Sequence, residues 1–253
     1  MGRARGRAGR LVGDAGAGAD ALTGAPGPHD RQAAALARVV AVMDRLRSPE
    51  GCPWYAEQTH TSLLPYALEE AHELVEAVEH GDPAHVREEL GDLLLQVLVH
   101  ARIASEDPVA PFDVGDVADD LAAKLVRRNP HVFGPGAGQV LDAATVDARW
   151  QDLKRAEKPA RTSVLDGVPA SMGALARAQK LVARAGRAGL LDTAPVPAGP
   201  SSDGPVPADA APAAIGEALL ALVVAAQHAG VDAEAALRRA TADWEAAARR
   251  AEA

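Results

Sequence analysis

Apolar residues recur along most of this chain at steps of three and four, which is the pattern of amphipathic α-helices. The first helix is predicted from Arg31 to Arg47, and the breaker sequence "SPEGCPW" ends it. No stretch alternates cleanly enough to predict a β-strand. The chain is therefore predicted to be all-α, a helical bundle in which short loops join antiparallel neighbours. Further helices are expected at about 62–79, 83–105, 114–128, 145–158, 172–190, 213–228 and 232–251.

Composition supports this class and narrows the possible functions. Hydrophobic residues make up 48% of the chain, enough for a sizeable core, but aromatics only 3%, so helices are expected to pack through leucine and alanine. The net charge of −9 argues against a general nucleic-acid surface. Cys52 stands alone, so no internal disulfide forms. No apolar stretch reaches the length of a membrane span, and we expect a cytoplasmic protein without a membrane partner.

Two segments of the chain lack the helical pattern, one at its start and one before the last two predicted helices. Residues 1–30 are rich in Gly, Ala and Arg and lack the apolar run of a signal peptide, which predicts a disordered tail. The alternative is a basic tail that touches a nucleic acid or a membrane. Residues 192–212 have the Pro, Ser, Gly and Asp content of a flexible linker. The expected order is a domain at 31–160 with the candidate chemistry, a connecting helix at 161–191, the linker, and a helical hairpin at 213–253.

Four carboxylates occupy matching positions on two consecutive predicted helices. Glu70 and Glu73 lie three residues apart on one helix, and Glu89 and Asp92 repeat that spacing on the next. Residues three apart share a helix face, and such pairs ordinarily belong to a solvated surface. Here the second helix is apolar nearly all round from Leu93 onward, which is typical of a buried helix. Its two carboxylates are therefore expected to enter a partly buried layer.

Carboxylates that face one another in such a layer need a cation, because isolated buried charges are unfavourable and like charges repel. Mg²⁺ is the expected ion, since it prefers oxygen ligands and is commonly shared with substrate phosphates. Iron is the alternative, because di-iron bundles use Glu-x-x-His pairs. Glu57 with His60 and Glu69 with His72 both have that spacing. However, the first pair follows a proline-rich break, and His72 lies off the face that holds Glu73.

A basic cluster could supply the phosphate contacts of such a site. Lys124, Arg127 and Arg128 occupy the last turns of one predicted helix, and the first and last of these share a face. Arginine offers paired donors to phosphate. The alternative is a helix C-terminus whose cations interact favourably with the helix dipole.

Two tryptophans are candidates for contact with an aromatic substrate. Trp150 lies one helical turn before Lys154, so a ring and a cation could together hold a base and a phosphate or carbonyl group. Trp54 follows a proline in the loop "GCPWYAEQTH". For each tryptophan the alternative is packing, in the core for Trp150 and within its loop for Trp54.

The C-terminal part of the chain resembles the middle and provides an internal comparison. "EELGDLLLQVLVHARIA" from Glu88 matches "AAIGEALLALVVAAQHA" from Ala213, with the leucine pattern intact. In the second copy Glu89 becomes Ala214 and Asp92 becomes Glu217, while Lys124 is matched by Asp243 and Arg128 by Ala247. Because the apolar scaffold persists while acidic and basic groups change together, we infer that these groups form one site in the first copy.

Four segments of the sequence resemble motifs of the MazG family of nucleoside triphosphate pyrophosphohydrolases. The resemblance is good over about residues 36–191, with 213–250 as a degenerate second copy. The segments are "LRSPEGCPWYAEQTHTSLLPYALEEAHELVEAV", "REELGDLLLQVLVHA", "KLVRRNPHVFG" and "RWQDLKRAEK".

The resemblance implies an all-α enzyme, usually a homodimer, that cleaves nucleoside triphosphates to a monophosphate and pyrophosphate with Mg²⁺, or Mn²⁺ as its substitute. It implies metal ligation by four carboxylates. From the mechanism of metal-assisted hydrolysis we also expect a carboxylate not fully used by the metal to orient or deprotonate the attacking water. The resemblance also implies substrate contacts from a basic helix end and a tryptophan–lysine pair. By position, the ligands are Glu70, Glu73, Glu89 and Asp92, the catalytic candidates Glu69 and Glu73, and the substrate-binding candidates Lys124, Arg127, Arg128, Trp150, Lys154 and Trp54.

Two departures from the family pattern leave alternatives open. Tyr55 stands where the family usually has Asp after Cys-Pro-Trp. The second copy, which often carries the main activity in two-copy members, lacks its first acidic helix, so activity must rest on the first copy. The alternatives are a regulatory or assembly protein that binds nucleotide with little turnover, and a narrower all-α hydrolase acting on dUTP or phosphoribosyl-ATP.

Overall fold

The fold is all-α, as predicted. A computed structural model describes residues 29–135, 137–158, 160–191 and 212–252, and these contain ten helices and no strand. Nearly all of the predicted tail and of the predicted linker lies outside the described residues. The helices are α1 (Asp30–Leu46), α2 (Pro53–Glu57), α3 (Leu64–His80), α4 (Pro83–Ala104), α5 (Val114–Arg128), α6 (Pro130–Phe133), α7 (Ala143–Ala156), α8 (Ala174–Arg187), α9 (Pro212–His228) and α10 (Ala233–Glu252).

Two short helices, α2 and α6, were not predicted from the periodicity. Each begins with a proline, Pro53 and Pro130, at its first position. Proline is tolerated there because the first helical N–H groups have no intrahelical acceptor. These helices have five and four residues, too few to show a periodic pattern. In the sequence, their prolines therefore indicated only that the preceding helices end there.

The described chain divides into two compact units. The N-terminal unit ends at Gln151 and the C-terminal unit begins at Asp152, within α7. In the N-terminal unit α3 packs along α4, and α1 and α5 also contact α4. In the C-terminal unit α8, α9 and α10 pack against one another around Val182, Val223 and Val224. The predicted domain at 31–160, the connecting helix and the degenerate second copy stay predictions.

A tight connection turns α3 back along α4. Gly81 ends α3 with a φ of 74°, a left-handed conformation that glycine adopts without a steric penalty. Asp82 then caps α4, because its side chain accepts a hydrogen bond from Ala84 N at 2.9 Å, and Pro83 occupies the first turn. This hairpin runs α4 antiparallel to α3, so that the middle of α3, with Glu70 and Glu73, lies beside the first turns of α4, with Glu89 and Asp92.

Helix α4 forms the core of the N-terminal unit, but not on every side. Leu98 and Val99 are buried with Met43 of α1 and Leu63. Leu94 and Val97, however, are 36% and 42% exposed. The prediction of a helix buried nearly all round is therefore wrong on that side, because α1, α3 and α5 pack against the others. Within the described residues no single helix is long and apolar enough to cross a membrane, and α9 and α10 pass that test only as a pair bent by 110°.

Candidate metal centre and substrate site

The hairpin of α3 and α4 assembles three of the predicted carboxylates into one cluster. Glu70 and Glu73 lie one turn apart on α3, and Glu89 faces them from the second turn of α4. Each contributes an oxygen, and the three oxygens lie within 4.8 Å of one another. Carboxylates from two helices therefore converge at a single point, as the repeated three-residue spacing predicted.

Burial increases across this cluster from Glu73 to Glu89. Glu73 is exposed, Glu70 is half-buried and Glu89 is 6% exposed. One oxygen of Glu89, Oε1, lies 2.9 Å from Nε2 of His85. The other, Oε2, is buried and has no hydrogen-bond partner in the part of the chain that the structure describes. A buried carboxylate oxygen without a partner is strongly unfavourable, so Glu89 has the environment of a group that pairs with a ligand.

Asp92, the fourth predicted ligand, is half-buried on α4 one turn beyond Glu89. Asp92 lies close enough to Glu70 to contribute to the pKa of that residue, which is raised above its ordinary value. Burial of Glu70 is the largest cause, and the negative charge of Asp92 comes next, followed by those of Glu73, Glu89 and Glu69. Glu70 is therefore surrounded by four negatively charged neighbours, of which Asp92 is one. The role of Asp92 as a ligand stays a prediction.

The donors present fit a hard divalent cation. Carboxylate oxygens are the ligands that Mg²⁺ prefers, with water or phosphate completing the coordination, and Glu89 Oε2 supplies a buried oxygen that such an ion would pair. The histidines of the alternative iron motifs have other surroundings: His60 is hydrogen-bonded to His100, and His72 is exposed. The oxygen atoms of the cluster can therefore hold a divalent metal ion.

The end of α5 contacts α7 through a cation–π pair. The guanidinium of Arg128 lies over the ring of Trp150, 5.6 Å from the ring centroid, and both residues are half-buried. A guanidinium over an indole face contributes about 0.5–2 kcal/mol. Lys124 is half-buried one turn earlier on α5, and Arg127 is exposed. The structure therefore brings Arg128 and Trp150 together, and the substrate roles of all four residues stay predictions.

Trp54 belongs to an aromatic cluster that connects α2 to α3. Its ring meets Tyr55 edge-on at 4.9 Å and Tyr66 at 6.0 Å between centroids. It is nevertheless 46% exposed, so packing does not occupy the whole ring. Lys154 lies in the C-terminal unit, and its predicted contact with the substrate stays a prediction.

Sequence reasoning missed Arg47, which anchors the segment that carries Trp54. Its side chain is 8% exposed and donates hydrogen bonds to the carbonyl oxygens of Tyr55 and Gln58. It also donates to both carboxylate oxygens of Glu106, at 2.9 and 3.1 Å. Only the fold could reveal this anchor, because Glu106 lies 59 residues away. His85 was missed as well, although its four-residue separation from a helical glutamate is a visible signal.

Comparisons with known proteins identify a family domain and several relatives of this chain. The model of the MazG nucleotide pyrophosphohydrolase domain matches residues 58–133, which contain all the clustered carboxylates and the basic end of α5. An uncharacterised 26.1 kDa protein of Streptomyces cacaoi is 45% identical over 91% of this chain and 88% of its own length.

Two further relatives are named nucleoside triphosphate pyrophosphohydrolase. The Escherichia coli K12 protein is 38% identical over 80% of this chain and 81% of its own length. The Mycolicibacterium smegmatis protein is 47% identical over 68% of this chain, which spans about half (51%) of that relative's length. Because the E. coli relative is 38% identical and this chain covers 81% of its length, and because residues 58–133 match the MazG domain model, the chain belongs to the MazG nucleotide pyrophosphohydrolase family.

Proposed function

We propose that this chain hydrolyses nucleoside triphosphates to a nucleoside monophosphate and pyrophosphate, with Mg²⁺ or Mn²⁺ held by Glu70, Glu73, Glu89 and Asp92. The observation that carries the proposal is the convergence of Glu70, Glu73 and Glu89 within 4.8 Å, with a buried oxygen of Glu89 lacking a partner. The cluster lies in the segment that matches the family model. The names of the E. coli and M. smegmatis relatives support the same reaction.

We assign the roles of metal ligand and general base to the carboxylates according to their exposure. Glu89 and Glu70, the more buried members, hold the ion from α4 and α3. When bound, a divalent ion supplies neutralisation of the triphosphate charge and lowers the pKa of a coordinated water. Glu73 and Glu69 are exposed and can orient a water and accept its proton as general base. The water oxygen bonds to phosphorus, the bond between the α- and β-phosphates breaks, and pyrophosphate leaves.

Basic groups on α5 stabilise the leaving pyrophosphate. Lys124 and Arg128 lie one turn apart on the same face of that helix, with Arg127 beside them at its end. Cations aimed at the developing charge lower the barrier most when they are held in place before reaction. The contact of Arg128 with Trp150 supplies such an anchor. Trp150, Lys154 and Trp54 complete the proposed contacts with the nucleoside.

A homodimer is part of this proposal. Leu90, Leu94 and Val97 form an apolar stripe on α4 and are 52%, 36% and 42% exposed. On α3, Leu68 and Val78 are exposed by 60% and 59%. Apolar surface of this kind on a helical hairpin is typical of an association face. Sedimentation would test the dimer, and a monomer at micromolar concentration would contradict it. The cytoplasmic location stays a prediction.

One assay tests the reaction. The full chain is incubated with each ribo- and deoxyribonucleoside triphosphate and Mg²⁺, and pyrophosphate is measured with and without EDTA. We expect pyrophosphate that EDTA abolishes and that Glu89→Gln reduces by about 100-fold or more, because the buried ligand is lost. Glu88→Gln is the matched control, since Glu88 is the exposed neighbour on the same helix. Absence of pyrophosphate from every nucleotide would refute the enzyme and leave nucleotide binding, while turnover of dUTP alone would indicate the narrower hydrolase.

A further inference from the structure

The short helix that contains Trp54 is held by contacts from other parts of the N-terminal unit. Helix α2 has five residues, none of them buried, and helices this short are not stable on their own in water. Its N-cap residue, Cys52, makes no side-chain capping hydrogen bond. Trp54 itself is 46% exposed. The position of α2 therefore depends on the residues that bind it from outside.

Arg47 binds the C-terminal end of α2 through two carbonyl groups. Its Nη1 atom donates hydrogen bonds to the carbonyl oxygen of Tyr55 and, at 3.0 Å, to that of Gln58, the C-cap residue. Carbonyl groups at the end of a helix lack their usual intrahelical donors, and one guanidinium serves both of these. The side chain of Arg47 is 8% exposed, so the two hydrogen bonds are shielded from water.

Glu106 holds the guanidinium of Arg47 in a fixed orientation. Arg47 donates to both carboxylate oxygens, from Nε at 3.1 Å and from Nη2 at 2.9 Å, which is the paired geometry of an arginine and a carboxylate. Glu106 also accepts a hydrogen bond from Arg102 of α4 at 2.9 Å, and Arg102 pairs with Asp44 of α1 at 3.0 Å. The ends of α1 and α4 therefore form one support for α2.

The loop that leads from α1 into α2 is packed against the end of α1. The N–H group of Cys52 donates to the carbonyl oxygen of Leu46 at 2.7 Å. A Cβ atom on Gly51 would lie 2.3 Å from the carbonyl oxygens of Arg45 and Leu46, so any larger residue would force the loop to move. The start of α2 is therefore tied to α1, as its end is tied to Arg47.

This support places the ring of Trp54 beside the acidic cluster. The centroid of the ring lies 6.0 Å from that of Tyr66 on α3. Tyr66 and Glu70 are four residues apart on that helix and so share a face. One helical turn advances about 5.4 Å, so the half-exposed ring is a neighbour of the carboxylates. A nucleotide whose phosphates bind there extends beyond them and can reach it.

We propose that Arg47 is a positioning residue of this hydrolase, which fixes α2 so that Trp54 is in place to contact the nucleotide before it binds. The inference rests on the proposed function, which includes the contact with Trp54. Arg47 touches neither the substrate nor the reacting atoms and acts only through the position of the ring. A binding group that is fixed beforehand avoids the entropic cost of ordering it on binding.

A double-mutant cycle separates positioning from a general structural role. KM and kcat for pyrophosphate release are measured with Mg²⁺ and the triphosphate that the wild type hydrolyses fastest. The proteins are the wild type, Arg47→Met, Trp54→Ala and the variant with both changes. Arg47→Lys is added because lysine keeps the charge but loses the fork of donors, and it replaces Arg47→Met if that variant does not fold. Arg45→Met is the matched control, since Arg45 lies near the same end of α1 with its side chain 67% exposed.

We expect Arg47→Met to raise KM by about 10-fold with little change in kcat, because a displaced ring loses part of a contact worth about 5- to 100-fold in binding. Arg47→Lys should raise KM less, and Arg45→Met should match the wild type. In the Trp54→Ala background, Arg47→Met should raise KM no further. An unchanged KM in Arg47→Met would overturn the proposal. An equal rise in both backgrounds would also overturn it, because Arg47 would then act independently of Trp54.

A second measurement keeps this inference separate from the reaction. The chain has three tryptophans, so Trp150→Phe with Trp244→Phe leaves Trp54 as the sole fluorophore of this kind, and acrylamide quenching then reports the exposure of its ring. In this background we expect Arg47→Met to increase the quenching and Arg45→Met to leave it unchanged. Equal quenching with and without Arg47 would overturn its role in holding the ring. A wild type that releases no pyrophosphate, together with quenching that depends on Arg47, would refute the proposed reaction and leave the positioning of Trp54 standing.

Discussion

Replacing Glu89 by glutamine should stabilise the metal-free chain, although it removes the most buried ligand of the site. Glutamine has nearly the same shape as glutamate and keeps an oxygen for the contact with His85, which now lies 2.9 Å from Oε1. Its amide group places donors where Oε2 has no partner among the described residues. The substitution therefore removes a buried charge that neighbouring carboxylates repel, and keeps the shape of the side chain.

The magnitude follows from the distances within the cluster. Two unit charges 4.8 Å apart repel by about 3.5 kcal/mol at an effective dielectric of 20 and by about 0.9 kcal/mol in water. Glu89 is buried while Glu73 is exposed, so each repulsion lies between these limits. Loss of an ionic contact with His85 offsets part of the gain. We expect the free energy of unfolding in EDTA to rise by about 1–3 kcal/mol.

Metal should reverse this order. An ion at 100 times its dissociation constant stabilises the wild type by about 2.7 kcal/mol, and Glu89→Gln should lose most of that gain. Urea unfolding is followed by tryptophan fluorescence in EDTA and in Mg²⁺. Trp54 and Trp150 report on the N-terminal unit, whereas Trp244 of the C-terminal unit is already 70% exposed and changes less on unfolding. Glu88→Gln controls for the loss of one charge from α4.

Either of two results would refute this reasoning. If Glu89→Gln lowers the stability of the EDTA-treated chain, the carboxylate is held by favourable contacts and the cluster is not under repulsion. If Mg²⁺ stabilises the variant as much as the wild type, the ion does not use Glu89. A shift of the same size in Glu88→Gln would mean that general charge reduction, and not the cluster, is responsible.

Three further predictions concern the scaffold around the site. Arg47→Met should lower the unfolding free energy by about 2–3 kcal/mol, because the partly buried carbonyl oxygens of Tyr55 and Gln58 lose a charged donor. Urea titration measures this, and a loss below about 0.5 kcal/mol would contradict it. The hydrogen bond from Arg47 is the largest cause that holds the pKa of Glu106 below its ordinary value of 4.5. The stabilisation of the fold by this ion pair is therefore present above about pH 4.5 and is lost as the pH falls through the lowered pKa. Thermal melts from pH 6 to 3 should show a less steep loss of stability in Arg47→Met than in the wild type. Asp82→Ala, which removes the cap on Ala84 N, should reduce stability by about 1 kcal/mol, and a melting temperature equal to that of Asp82→Asn would speak against capping.

The sequence identified the family, the all-α class and the enzyme class, and the comparisons and the fold confirm all three. These conclusions depend on local features of the sequence, namely helical periodicity, the three-residue spacing of acidic residues, and short sequence motifs that a family shares. The carboxylate positions were predicted for the same reason, because residues three apart on a helix share a face whatever the rest of the chain does.

Other properties depended on which segments meet. Periodicity predicted α4 to be buried nearly all round, yet Leu94 and Val97 are exposed, since the packing of α1, α3 and α5 decides which sides are covered. Arg47 looked like an ordinary cation at a helix end until the fold brought it to Glu106.

By itself the sequence determined where helices form and which acids share a face, because both follow from the geometry of one helix. The tertiary structure decided that Glu89 is the buried member of the cluster, and that His60 and His100 stack against each other beside a cavity that Gln96 also lines. Burial and long-range contact are properties of packed surfaces, and the two histidines are 40 residues apart in the chain. No pattern within either segment could have revealed that contact.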